Sequence, residues 1–266
     1  MSSTRSAARA AQDSTAFEGV ARVGYVVLGI LHIVLGSIAI SIATGGGGQA
    51  DQGGAVQQIQ QAPWGLALLW ATVIGLAALT VWQIAEAVLA RDADAKKRWG
   101  HRIKDLGTAL AYVAVALTAL TAALGGRSDS EGSTRSFSAQ LLASPGGVFV
   151  LVLLGLVVAA VGIAFVVRGA TRAFARKLSL PSGPARTGIL AFGAVGYIAK
   201  GVAVAVTGVL FVIAAFAHDP SQAGGLDAGL HALAALPFGV FLLWLVGAGL
   251  VVYGLFCFAR ARHARM

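Results

Sequence analysis

The chain has 266 residues, of which 57% are hydrophobic and only 12% charged. That charge content is about half the soluble norm, too little to cover the surface of a soluble domain of this size, and it points to lipid as the solvent. The net charge of +9 does not indicate nucleic acid, because the basic residues fall in alternate loops rather than on one domain. The one cysteine, Cys257, excludes an intrachain disulfide and a cysteine-based metal cluster. Inside an apolar run it reads as a small packing residue.

Residues 1–22 are rich in Ser, Ala and Arg and have no apolar core, so they read as a cytoplasmic tail and not a signal peptide. Asp13 and Glu18 argue against an organellar transit peptide. Three helical hairpins follow, at 23–90, 104–170 and 187–260, and then a short cytoplasmic tail at 261–266. Their six apolar runs are 23–43, 66–89, 106–124, 148–167, 198–217 and 238–258. Each is long enough to cross a hydrocarbon core of about 30 Å as a helix. The runs do not alternate polar and apolar residues, which excludes a strand barrel, and helices satisfy their own backbone in lipid. Trp64 and Trp82, 18 residues apart, bracket the second span, about 27 Å at about 1.5 Å per residue. Phe238 and Phe256 bracket the last span at the same spacing. Both pairs read as interfacial anchors.

The Lys and Arg residues are sorted by loop. Of the 20, 17 lie in the N-terminal tail, the second and fourth loops and the C-terminal tail, whereas the odd-numbered loops hold only Arg127 and Arg135. The positive-inside rule then places both ends in the cytoplasm.

The hairpins repeat one another. Gly24-Tyr25, Gly29 and Gly36 in the first recur at the same offsets as Gly196-Tyr197, Gly201 and Gly208 in the third. The middle copy keeps Tyr112 but has Ala111, Ala116 and Ala123 in place of the glycines. Small residues at such points allow helix backbones to approach closely. Pro63-Trp64-Gly65 before Leu68-Leu69-Trp70 recurs as Pro237-Phe238-Gly239 before Leu242-Leu243-Trp244. The middle copy has Pro145-Gly146-Gly147, with Leu153-Leu154-Gly155 as the matching leucine pair. Each outer loop is expected to start on a capping residue: Asp51, Asp227, and Ser136 or Ser138. Leu230, Leu233 and Leu236 fall on one helical face, which predicts a segment lying flat on the outer leaflet. Two spans per copy keep all copies in the same orientation, so the expected architecture is an all-α, pseudo-threefold bundle of three hairpins, N-in and C-in.

With Asp51-Gln52-Gly53-Gly54-Ala55, Trp82-Gln83-Ile84-Ala85-Glu86-Ala87 and Lys200-Gly201 added to these repeats, the chain resembles the domain of unknown function 1206 family of bacterial membrane proteins. The resemblance covers nearly the whole chain. It implies an inner-membrane address, no established activity and no catalytic residues to carry over.

Polar groups within spans are costly and often functional. His32, near mid-membrane, suits a proton relay or ligand contact, or else a neutral imidazole bonded to a neighbouring helix. Lys200 aligns with Leu28, where a lysine snorkels to the headgroups, or else forms a buried ion pair or a substrate contact. Glu86 and Arg22, at similar depth on adjacent helices, are expected to pair. The aligned positions to Glu86 are Arg168 and Arg260. Tyr25, Tyr112 and Tyr197 form the polar trio repeated on all three first helices. Lys96, Lys97 and Arg98 are candidate contacts for anionic inner-leaflet lipid. His218, Asp219, Asp227 and His231 gather in the last outer loop, but they read as capping and solvated residues, and no metal is assigned. No enzymatic motif and no cofactor fingerprint is present. The expectation is a non-enzymatic structural or accessory protein that packs with lipids or other membrane proteins. The alternative is a transporter or channel along the pseudo-threefold axis, which requires the three tyrosines to meet on a central cavity open to the cytoplasm.

Overall fold

A computed structural model describes residues 15–89, 95–127 and 129–264, without the side chains of 15–17 and 95–98. The described residues form nine α-helices: α1 (Thr15–Ala43), α2 (Gln52–Gln60), α3 (Gly65–Leu89), α4 (Ala95–Ala123), α5 (Ser130–Leu142), α6 (Gly147–Ala170), α7 (Pro184–Ala217), α8 (Leu226–Ala234) and α9 (Gly239–His263). Each hairpin is a long helix, a short outer helix and a second long helix. The six long helices are long and apolar enough to cross a membrane, and the three-copy organisation read from the sequence is present.

The first helices start earlier than their apolar runs. α7 begins at Pro184, 14 residues before the span expected from hydropathy. Its first turns carry Arg186 and belong to the cytoplasmic side, which an apolar window passes over. Proline at the start is suited to that site because its missing N–H has no intrahelical partner there.

Packing runs cyclically from one hairpin to the next. The tightest helix pairs are α6 with α7, α9 with α1 and α3 with α4, so the second long helix of each copy lies on the first of the next. Glycines set the closeness. A Cβ on Gly36 would sit 2.5 Å from the Gly247 carbonyl oxygen, and one on Gly29 2.8 Å from that of Gly254. Across α6 and α7, a Cβ on Gly201 would lie 2.6 Å from the Gly162 oxygen, and one on Gly208 2.7 Å from that of Gly155. Small residues every seven positions form a straight seam along two nearly antiparallel helices. At the matching places between α3 and α4 stand Thr80 with Ala116 and Val73 with Ala123, and this third junction is looser.

The middle hairpin is open. α1 packs on α3 and α7 on α9, but among the described residues no comparable packing joins α4 to α6. In the first hairpin Gly24 meets Gly75, and a Cβ on Gly24 would be 2.4 Å from the Gly75 oxygen. The corresponding residues of the middle copy are Ala111 and Val157, both exposed. Side chains at both places prevent the backbones from meeting. The apolar windows of α4 and α6 are each 17% buried, against 44–50% in the other four spans. The six long helices thus form a ring with one seam.

Several local expectations change. The buried leucine of the middle copy is Leu151, not Leu153 or Leu154: Leu69, Leu151 and Leu243 are each fully buried at one repeat position. Trp64 and Phe238 are exposed anchors, but Trp82 and Phe256 point into the protein. The middle outer helix is capped by Asp129, whose carboxylate accepts the Gly132 N–H at 2.7 Å, and not by Ser136 or Ser138, which lie inside α5. Asp51 caps α2 as expected, accepting the Gly54 N–H at 2.7 Å. Asp227 lies in the first turn of α8 and does not cap it. Nor is α8 laid on the outer leaflet: Leu230 and Leu233 close the top of the core with Ile38, Ala203 and Leu243, leaving Leu236 exposed.

Candidate functional site

Two polar clusters stand out, one at each end of the ring. The inner one begins with the repeated tyrosines. Tyr25 and Tyr197 are buried and Tyr112 is half-buried, and the phenols of Tyr25 and Tyr197 both lie within electrostatic reach of Tyr112. Tyr25 and Tyr197 are covered by the protein and not turned out to the headgroups. Cations from the second helices meet them. The Arg260 guanidinium lies 4.3 Å from the Tyr25 ring centroid and donates to its hydroxyl at 3.1 Å. Arg168 lies 5.5 Å from the Tyr197 ring. These repeat-related contacts cross the same junctions as the glycine seams.

Lys200 does not snorkel. Its ammonium stands between the Tyr253 ring at 4.7 Å and the Phe165 ring at 5.3 Å. Aromatic faces attract a cation in a weakly polar setting, and here they hold it within the protein. Tyr253 packs edge-on against Tyr197 with centroids 5.2 Å apart, and Phe174 stacks on Tyr197 at 5.3 Å. Cys257 is buried in this aromatic group as a packing residue. His32 bonds its own helix, not a neighbour: Nδ1 is 2.7 Å from the Leu28 carbonyl. A carbonyl only accepts, so Nδ1 carries the proton. The His32 ring rests against Tyr253 at 4.7 Å.

Glu86 and Arg22 are not partners. Glu86 accepts from Lys177 at 2.8 and 3.0 Å, tying the first hairpin to the loop before the third. Arg22 faces Glu18 on its own helix at 3.8 Å. Lys177 was not singled out from the sequence because it lies in a short 3-10 turn, Ala173–Lys177, whose placement no periodicity fixes. The side chains of Lys96, Lys97 and Arg98 lie outside the described residues.

The outer cluster gathers carboxylates from all three copies. Asp51, Glu131 and Asp227 are buried. Asp227 accepts the Ala50 N–H at 2.6 Å, joining the third hairpin to the first. Glu131 bonds Asp227 and also pairs with Arg135, and His231 lies 3.5 Å from Asp227. Burial, and then the bond to the Asp227 carboxyl, push Glu131 up to about 7. Burial also raises Asp51. Glu131 was missed in the sequence because its partners come from other hairpins. Asp219 instead caps a 3-10 turn through Ser221, and among the described residues no three His, Cys, Asp or Glu side chains are placed to hold a metal ion.

Fold and clusters together define a multi-pass α-helical membrane protein built from three repeated hairpins. The chain belongs to the family described as Domain of Unknown Function (DUF1206), which it matches over residues 23–90, 106–172 and 195–264. It is 28% identical over 249 residues to an uncharacterized protein, YxxB, of Bacillus subtilis (strain 168), an alignment covering 92% of this chain and 90% of that one. No solved structure matches.

Proposed function

We propose that the protein is a non-enzymatic accessory component of the plasma membrane, whose open middle hairpin seats lipid or a helix of another membrane protein. The observation that carries this reading is the weak burial of α4 and α6, 17% against 44–50% for the other spans. Leu110, Leu117, Leu153 and Leu156 are all more than half exposed there, leaving two apolar faces where the other hairpins close on themselves. Without a hydrophobic force between helices in lipid, such faces select partners by packing.

The test is purification in mild detergent with identification of the lipids and membrane proteins that co-purify. A component near one-to-one with the wild type, lost when Leu117 and Leu153 are changed to Trp, is the expected result. Absence of any such component contradicts the reading. The burial of Tyr25 and Tyr197 within electrostatic reach of Tyr112 favours a second reading, a carrier of a small solute or lipid-like molecule. Solute flux through reconstituted vesicles, abolished by Tyr112→Phe, would replace the accessory reading with that one.

A further inference from the structure

Arg168, Lys200 and Arg260 are three half-buried cations at the cytoplasmic end of the helix ring. Arg168 and Lys200 are linked through touching rings: Arg168 on Tyr197, Tyr197 on Tyr253, Lys200 on Tyr253. Lys200 and Arg260 lie within electrostatic reach of each other. Among the described residues no carboxylate pairs with any of the three. Glu86, the acid at the repeat position of Arg168 and Arg260, is taken by Lys177.

Aromatic faces and the Tyr25 hydroxyl offset part of the cost of holding these cations away from water, but they supply no charge. Like charges held together at membrane depth call for an anion. The seam between α4 and α6 leaves the bundle open beside α6, whose Phe165 ring lies against Lys200. We propose that the phosphate of an anionic phospholipid from the inner leaflet binds Arg168, Lys200 and Arg260, with its acyl chains lying in the seam between α4 and α6. This deepens the accessory reading, on which it rests, by naming the lipid and its site. It is separate from the Lys96, Lys97 and Arg98 rim.

The depth of the cations and the apolar seam beside them select a lipid over a soluble anion: the headgroup meets charge and the chains meet Leu, Val and Phe. Arginine matches a phosphate through two parallel donors, while the lysine adds a point charge.

The experiment uses the full chain in mild detergent and native mass spectrometry, with phosphatidylglycerol and phosphatidylcholine added in turn. Wild type is expected to retain phosphatidylglycerol in preference to phosphatidylcholine. Lys200→Gln combined with Arg260→Gln is expected to weaken that retention by about thirtyfold, while Lys200→Arg and the triple change of Lys96, Lys97 and Arg98 to Gln leave it near wild type. Equal retention of the two lipids by wild type overturns the proposal, as does full retention by the double variant.

Inorganic phosphate in excess separates the sources. It should leave the lipid bound, and displacement by phosphate alone overturns the lipid assignment. A second readout needs no variant: a phosphatidylglycerol with a photoreactive acyl chain should crosslink wild type on α4 or α6, and labelling confined to other helices overturns the site. Lack of lipid preference alongside a co-purifying membrane protein refutes this proposal and leaves the accessory reading standing, whereas solute flux refutes that reading itself.

Discussion

Glu131 shows what one residue does when its partners come from other repeats. Buried beside Asp227, with Arg135 on its own helix and Asp51 within electrostatic reach, its carboxyl is pushed up to about 7. The folded state therefore favours the proton, so stability is greatest at low pH and falls as pH rises from about 4.5 through 7. The wild-type unfolding midpoint in detergent should drop by about 2–4 °C between pH 5 and pH 8. Glu131→Gln keeps the bond to Asp227 without a titrating proton and should show a smaller drop. Equal pH slopes for the two proteins would remove Glu131 from the account. Little of this was legible in the sequence. Asp51 was recognised as a cap because capping is a local pattern, whereas Ala50 bonding to Asp227 joins residues far apart in the chain. The same holds for Lys177 with Glu86. Arg22 matches Glu86 in depth along the sequence, but which side of its helix it occupies is decided by packing.

At the scale of elements, the glycine repeats were legible and their meaning carries through. Gly29, Gly36, Gly201 and Gly208 each face a neighbouring backbone closely enough that a Cβ would collide. The alanines of the middle copy mark the junction that packs more loosely and the hairpin that stays open. Gly36→Val and Gly208→Val should each cost about 1–3 kcal/mol through overpacking, read as a lower unfolding midpoint. Ala123→Val, at the matching place in the loose junction, should cost under about 1 kcal/mol. Equal losses at all three sites would contradict the ranking of the junctions. Helix ends were less legible than helix centres. α7 begins well before its apolar run because its first turns carry charge, and α8 turns Leu230 and Leu233 inward because the ring leaves an apolar top for it to cover.

For the whole molecule, the start of α1 and the end of α9 meet at one face: Ala21 in α1 shares an apolar cluster with Ala261 and Ala264. Charge sorting makes that face cytoplasmic. Reporter fusions after Arg98 and Arg176 should read cytoplasmic, and fusions after Gly48 and Gly225 external; a cytoplasmic signal at Gly48 would break the six-span arrangement. The number of spans and the threefold repeat could be read from hydropathy and spacing, because these are sums over many residues. The direction in which the repeats pack could not, since the sequence is equally consistent with each hairpin closing on itself.

Disulfide crosslinking in native membranes reads that direction of packing from the molecule itself. With Cys257 replaced by Ala, paired cysteines would be placed at Ile33 with Val251, Ala159 with Ala205, and Ala77 with Leu120, one repeat-related pair across each junction. All three should form intramolecular crosslinks, the last in lowest yield because α3 and α4 pack least tightly. The mismatched pairs, Ile33 with Ala159 and Leu120 with Val251, should not crosslink. Crosslinking of the mismatched pairs, or failure of both Ile33 with Val251 and Ala159 with Ala205, would contradict the cyclic ring.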